Sequence, residues 1–109
     1  MTHRVVLLAS AEQDLKDLSA YLLKNFSSET WGSTYALIKH TIRQLQHFPE
    51  AGTIPDELEK LHLVQYRQVL AGMNRIIYEV RQEVIYVHMI VDVRPDMKAL
   101  LARRLLRVT

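Results

Sequence analysis

The 109-residue sequence predicts a single α+β domain spanning residues 1–109, and three observations carry that prediction. Three runs with alternating apolar and polar residues follow one another between Tyr66 and Asp96, as in successive antiparallel strands. Two longer runs with helical spacing precede them, and a third closes the chain. The expected order is β-α-α-β-β-β-α, with an N-terminal αα-hairpin packed on one face of an antiparallel sheet.

Composition excludes several classes of function. The chain has no cysteine, which rules out disulfides, thiol catalysis and cysteine-ligated metals. The three glycines are not grouped into a phosphate-binding loop, and His40 and His47 do not form a metal signature. We therefore expect neither a metal nor a cofactor. No apolar run approaches the length of a membrane span or a signal peptide, so we expect a cytoplasmic protein with no membrane partner.

Charge is distributed unevenly along the chain. Residues 1–60 carry six Lys or Arg against eight Asp or Glu, whereas residues 61–109 carry eight against four. Seven of those eight cations are arginine, whose planar fork suits phosphates and carboxylates. A basic C-terminal half indicates an anionic partner, either nucleic acid or an acidic protein segment, and the alternative is a solvated surface.

The first segments predict a strand and a helix. Residues 3–9 are apolar on both sides, as in a strand inside a covered sheet. Ser10 with Gln13 fits a capping box that starts a helix, and Asn25 fits a left-handed terminator. The apolar stripe of this helix comprises Ala11, Leu15, Leu18 and Leu22.

A second helix is expected after a cap at Ser27 or Ser28, ending before Pro49. The short gap between the two helices requires an antiparallel hairpin. Because aromatic and aliphatic residues share one face, we interpret the whole stripe as core. It comprises Trp31, Tyr35, Ile38, Ile42 and Leu45.

The segment between the second helix and the strands predicts a surface loop with one helical turn around residues 56–61. After the strands, residues 95–107 predict a closing helix with Pro95 in its first turn. Its stripe is Met97, Leu100, Leu101 and Leu105. Its last arginines, Arg103, Arg104 and Arg107, fit the negative end of the helix dipole.

Strand register decides which side chains meet. The turn at Gln82 and Glu83 pairs residue 81 with 84, and a regular ladder then places residue 75 opposite 90. Ile85, Val87, Met89, Val91 and Val93 are then expected on the apolar face. The other face is expected to hold Arg75, Arg81, His88, Asp92 and Arg94.

Converging arginines favour a binding surface. Arg75 and Arg94, together with Arg67, can hold a phosphodiester and stabilise transition-state charge, with His88 as the proton carrier. The alternative is ion pairing: Arg81 with Glu79 or Glu83, and Arg75 with Asp92. The face of Arg67 depends on whether the turn at residues 71–74 has two or three residues.

The same residues carry a resemblance to a known family. The hairpin ending in HFPEAG, the strand pair YR…NRIIYEV and the closing VDVRPDMKALLARRLL resemble the RelE/ParE superfamily of bacterial type II toxins across almost the whole chain. The resemblance implies a growth-arresting toxin that a cognate antitoxin protein neutralises, with a higher-order toxin–antitoxin complex. It implies DNA gyrase as the target for ParE-like members and the ribosome with its mRNA for RelE-like members.

The motif matches favour the ParE-like branch. Arg75 and Arg94 match the two arginines of the RelE-type nuclease motif, and Arg67 matches its preceding basic strand. However, Gln68 and Val69 fill the neighbouring positions, and Leu100 stands where a closing-helix tyrosine is common. The resemblance therefore implies a gyrase poison in which Arg67, Arg75 and Arg94 bind the target. The runner-up is a ribosome-dependent mRNA endonuclease, with Arg75, Arg94, Arg67 and His88 catalytic, and the third hypothesis is a non-toxic antitoxin-binding remnant.

Overall fold

The computed structural model of the protein describes residues 2–93 and 104–105. Its elements are β1 (Arg4–Leu7), α1 (Ala9–Asn25), α2 (Ser28–His47), α3 (Asp56–Glu59), β2 (Tyr66–Ala71), β3 (Asn74–Arg81) and β4 (Val84–Asp92). This order confirms the predicted α+β fold. Of the predicted closing helix, only Arg104 and Leu105 are described, and both have helical backbone; its other residues lie outside the described part.

The four strands form one mixed sheet in the order β1-β4-β3-β2. β2, β3 and β4 are antiparallel neighbours, whereas β1 runs parallel to β4, with Val6 opposite Tyr86. The prediction that the first strand lies inside a covered sheet was wrong, because β1 is at the edge of the sheet and none of its residues is fully buried.

The main core lies between the helical hairpin and one sheet face, which we call the hairpin face. Ala11 of α1 and Ile38 of α2 are fully buried there against Ile76 and Tyr78 of β3. Leu15 and Leu18 of α1 pack at its margin. The apolar stripe predicted for the first helix thus does pack on the sheet.

The helix ends differ in part from the prediction. α1 begins at Ala9, and its Leu8 cap makes no side-chain hydrogen bond. Instead of capping, Ser10 Oγ donates to the carbonyl of His88 at 2.9 Å, because β4 offers an acceptor close by. Asn25 ends α1 without a positive φ, and its amide donates to Tyr21 O at 2.9 Å. Ser27 caps α2 as predicted, accepting from the Thr30 N–H at 3.1 Å.

Only the later part of the predicted core stripe of α2 is buried. Ile38 and Leu45 are buried, but Trp31 is only half-buried and Tyr35 is 40% exposed. The two rings stack on each other with centroids 5.2 Å apart. The first two turns of α2 therefore contribute less to the core than the later turns.

The loop before α3 is anchored to the sheet by backbone hydrogen bonds. Thr53 and Gln68 exchange two of them, at 2.7 and 3.1 Å, in an antiparallel bridge. α3 occupies four residues within the predicted helical turn. This loop therefore starts at the β2 edge of the sheet and crosses the sheet face opposite the helical hairpin.

Candidate functional site

A β-bulge in β4 determines the composition of the second sheet face, the face opposite the hairpin. Ile77 pairs with Met89 but Tyr78 pairs with Val87, which leaves His88 as an extra residue. Arg75 is consequently opposite Val91, not residue 90 as predicted. The bulge reverses the alternation after Val87, so Met89 and Val91 lie on the second face.

The predicted set of side chains on that face is thus only partly correct. Arg75, Arg81 and His88 do share the second face. Asp92 is shifted to the hairpin face, where it lines a groove with Asp14 and Ile90. Arg94 lies outside the described residues.

The second face also has a small apolar core of its own, which the sequence did not predict. Leu58 of α3 is fully buried there against Ile77 and Met89. Tyr66 is buried in the same cluster, and Leu63 packs against it. Burial raises the pKa of Tyr66, and the Glu79 carboxylate raises it further. Much of this face is therefore covered by α3 and is not an open arginine surface.

Arg75 is paired with the covering segment. Its Nη1 lies 3.3 Å from Glu57 Oε2 of α3. The side chains are 14% and 27% exposed, respectively. The predicted Arg75–Asp92 pair was wrong because the bulge puts these two residues on opposite faces.

His88 is paired at the bulge. Its Nε2 lies 3.0 Å from Glu79 Oε1, and its ring packs edge-on against Tyr66, with centroids 5.0 Å apart. Along β4, His88 is three residues from Val91, the partner of Arg75, which corresponds to about 10 Å. His88 and Arg75 therefore do not converge on one reacting atom.

Arg81 pairs with Glu79, as the ion-pair alternative predicted, at 3.5 Å. Its guanidinium also lies over the Tyr86 ring, 4.2 Å from the centroid. Glu79 is thus shared by His88 and Arg81 at one end of the second face, and Glu57 holds Arg75 at the other.

Arg67 lies on the hairpin face. The β2–β3 turn has two residues, Gly72 and Met73, so Arg67 is opposite Tyr78 and not on the side of Arg75. Arg67 Nη1 donates to the Gly52 carbonyl at 2.8 Å. The structure therefore separates Arg67 from the arginine with which it was grouped.

Tyr78 completes the contacts of Arg67 with this loop. Its hydroxyl donates to Pro49 O at 2.8 Å and accepts from the Gly52 N–H at 2.9 Å. Burial raises the pKa of Tyr78 above its ordinary value of 10.0, against the lowering effect of the Gly52 hydrogen bond. A Cβ on Gly52 would lie 2.6 Å from both Gln68 O and Tyr78 Oη, so the loop can close only with glycine at this position.

Asp14 connects α1 to the open edge of β4. One carboxylate oxygen accepts the Ile90 N–H at 3.0 Å, and both oxygens accept from Arg104 at 3.1 Å. The sequence analysis assigned Arg104 to the end of the closing helix and predicted no partner for Asp14. Their pairing, 90 residues apart, had no local signal.

A groove of about 940 Å³ lies between the helical hairpin and the β2–β3 turn. Its walls are mainly apolar, with Leu22, Leu37 and Met73 among them and Asp17 at the rim. Within residues 2–93 and 104–105, no cluster of His, Asp and Glu side chains is suited to hold a metal ion. No helix in that described part is long and apolar enough to cross a membrane.

Sequence reasoning missed Glu57 as a site residue, and it missed the pairing of Glu79 with His88. Glu57 lies in a charged run between prolines, which indicates a surface loop equally well. Glu79 was placed on the polar side of its strand, but its pairing with His88 depends on the bulge. Neither contact has a sequence signal of its own.

The chain is thus a small α+β protein in which a helical hairpin covers one face of a four-stranded sheet and ion pairs lie on the other face. Residues 5–98 match the family model described as "ParE toxin of type II toxin-antitoxin system, parDE". The chain belongs to this family, and the resemblance expected from the sequence is confirmed.

Two solved structures show the same fold at low sequence identity. The chromosomal ParDE system from P. aeruginosa matches with a TM-score of 0.70 and 14% identity, over 85% of this chain and 98% of that one. The toxin–antitoxin complex RelBE2 from Mycobacterium tuberculosis matches with a TM-score of 0.59 and 16% identity, over 84% and 99%. No curated protein matches the chain significantly.

Proposed function

We propose that this toxin arrests growth by binding DNA gyrase as a poison, without catalysis of its own. The observation that carries the proposal is the separation of the charged groups on the second face. Arg75 is held by Glu57, and His88 by Glu79, about 10 Å away along β4. RNA cleavage needs positioned proton transfer beside the cation, and each such transfer typically accounts for about 10²–10⁴ in rate.

Arg75 and Arg94 are the residues that we assign to target binding. On the described part of the second face, Arg75 lies beside two exposed apolar side chains, Leu70 and Met73. Arg94 lies two residues after the end of β4 in the sequence. Arg67 is a weaker candidate, because it binds the loop carbonyl of Gly52 on the hairpin face.

The family match and both structural likenesses support a cognate antitoxin as the physiological inhibitor and a higher-order complex with it. The apolar groove beside the hairpin suits an amphipathic segment of such a partner. Co-expression with the protein encoded by the adjacent gene tests this: growth should recover, and the two proteins should purify together. Growth arrest that the neighbour does not relieve would contradict the assignment.

The gyrase assignment is tested with purified toxin in supercoiling and DNA-cleavage assays. We expect loss of supercoiling and accumulation of cleaved DNA. Arg75→Ala should weaken the effect roughly 10- to 100-fold, as for a lost charge-assisted contact. Arg81→Ala is the matched control, since Arg81 lies on the same strand and face but is mostly exposed.

Primer extension on a translated message after induction tests the nuclease alternative. Cuts at ribosomal A-site codons that disappear in His88→Ala would overturn the gyrase assignment and support mRNA cleavage. Absence of growth arrest on expression would instead favour the non-toxic remnant. The nuclease alternative is tested because His88, the candidate proton carrier, is oriented by its contact with Glu79.

A further inference from the structure

Glu57 occupies the side of Arg75 on which a partner's anion would bind. The contact is a single one, from Nη1 to one carboxylate oxygen at 3.3 Å. A guanidinium offers five N–H donors and binds a carboxylate best through two parallel hydrogen bonds. The resident carboxylate therefore uses only part of what Arg75 provides.

Two buried polar atoms near this contact have no hydrogen-bond partner within residues 2–93 and 104–105. They are Arg75 Nε, a donor, and Gln68 Oε1, an acceptor. Gln68 is opposite Ile77 on β2, so it is diagonal to Arg75 on the second face. A buried donor and acceptor without partners destabilise the covered arrangement. The covered state thus leaves a buried donor, Arg75 Nε, that an incoming carboxylate can satisfy.

The segment that covers these atoms has few attachments. α3 is a single turn of four residues, and its Pro55 cap makes no side-chain hydrogen bond. Pro55 and Leu58 are its two buried side chains, and Leu58 packs in the second-face cluster. The segment is tied to the sheet at Thr53, before α3, and turns at His62, whose φ is 61°. Lifting α3 would expose one small cluster and leave the hairpin core intact.

The surroundings of Arg75 favour a protein carboxylate over a nucleic-acid phosphate. Leu70, directly opposite Arg75 on β2, is 62% exposed, and Met73 in the adjoining turn is 55% exposed. Apolar side chains beside a single cation suit an acidic residue within an apolar protein segment. A phosphate backbone would instead be matched by several cations.

We propose that α3 is a displaceable cover and that Glu57 holds the place on Arg75 that an acidic side chain of the protein target takes in the complex. This proposal rests on the assignment of Arg75 to target binding. Glu57 is then a self-inhibiting residue: the target must displace it, and Arg75 Nε, a buried donor, becomes paired with the incoming carboxylate only when it does.

The test compares Glu57→Gln with Glu59→Gln. Both changes remove one negative charge from α3, but Glu59 is exposed and does not pair with Arg75. Isotope-labelled protein is titrated with acetate at constant ionic strength, and the Arg75 Nε–H resonance is followed by NMR. We expect saturable binding in Glu57→Gln, about tenfold tighter than in the wild type or Glu59→Gln. Equal titrations of the two variants would overturn the proposal.

Parallel titration with inorganic phosphate distinguishes the class of anion. Weaker binding of phosphate than of acetate supports a protein carboxylate, whereas tighter phosphate binding would overturn that assignment. The acetate readout does not involve gyrase, so it can succeed or fail independently of the proposed function. If Glu57→Gln does not fold, Glu57→Asp shortens the side chain while keeping its charge, and the same comparison applies.

Growth arrest supplies a second readout that a merely structural role of Glu57 would not produce. If Glu57 restrains Arg75, Glu57→Gln should arrest growth at several-fold lower expression than the wild type. If the ion pair only supports the fold, the variant should be less stable and less toxic. The latter result would contradict the proposal.

Discussion

The hydroxyl of Tyr78 is the clearest case of one side chain that determines a loop conformation. It is fully buried, and it joins Pro49 O to the Gly52 N–H, which Arg67 supports through the Gly52 carbonyl. The sequence placed Tyr78 on an apolar strand face, which is correct, but apolar periodicity contains no information about a hydroxyl partner 26 residues away.

Removal of that hydroxyl should lower stability in a pH-dependent way. At pH 7, Tyr78→Phe leaves two buried backbone groups unpaired and should cost about 1–3 kcal/mol in the free energy of unfolding. Because burial raises the pKa of Tyr78 in the folded protein, the unfolded chain loses its proton first as the pH rises past about 10. Ionisation of Tyr78 in the unfolded chain then destabilises the folded wild type. The difference in unfolding free energy between the wild type and Tyr78→Phe should therefore shrink.

Chemical denaturation at pH 7 and at about pH 11 measures both effects. Tyr35→Phe is the control, since Tyr35 is 40% exposed and has no buried hydroxyl partner to lose. An unfolding free energy of Tyr78→Phe equal to that of the control at pH 7 would show that the network does not stabilise the loop.

At the level of elements, helix α2 tests how far a periodic stripe predicts burial. The spacing of the apolar residues places them all on one face of the helix. However, those in the first two turns of α2 are partly exposed. We expect Ile38→Ala to cost about 2–5 kcal/mol, as for a buried aliphatic truncation, and Tyr35→Ala to cost less than about 1 kcal/mol. Thermal unfolding of both variants gives the comparison. Equal shifts in melting temperature would contradict the division of the stripe.

The bulge at His88 explains why the strand boundaries were predictable but the site was not. Met89, Ile90 and Val91 are all apolar, so either phase of alternation satisfies the hydrophobic pattern of this stretch. The observed alternation, with Met89 and Val91 on the second face, is favoured by their packing in the apolar core beneath α3. The prediction that Asp92 faces Arg75 depended on a regular ladder, and it was wrong for that reason.

The same limitation applies to β1. Its apolar residues on both sides indicated an interior strand, but β1 is an edge strand whose Val5 and Leu7 pack against the hairpin-face core. Hydrophobic periodicity indicates that a side chain is buried, but it does not identify the element that packs against it. Helix and strand order and the antiparallel pairing of β2, β3 and β4 therefore followed from the sequence. The parallel pairing of β1 with β4, the Glu57–Arg75 contact and the Asp14–Arg104 contact did not.

For the whole molecule, the excess of arginine in the C-terminal half has a kinetic consequence. If the antitoxin presents an acidic segment, long-range attraction should accelerate association at low ionic strength. We expect the association rate constant to fall by about tenfold or more between 20 mM and 500 mM salt, with a smaller change in the dissociation rate. Stopped-flow mixing or surface plasmon resonance measures both. An association rate that does not change with salt would show that the arginines do not steer this partner.

The pairing of β1 with β4 also affects the toxin while it is being made. Val6 must wait for Tyr86, 80 positions later, before the sheet can close. At about 5–20 residues per second, translation separates the two strands by roughly 4–16 seconds. During that interval the hairpin has no complete sheet to cover, and its apolar stripe remains exposed on the nascent chain. The sheet can therefore close only after β4 has been synthesised, and an antitoxin already present in the cell then has the opportunity to bind the chain as soon as it folds.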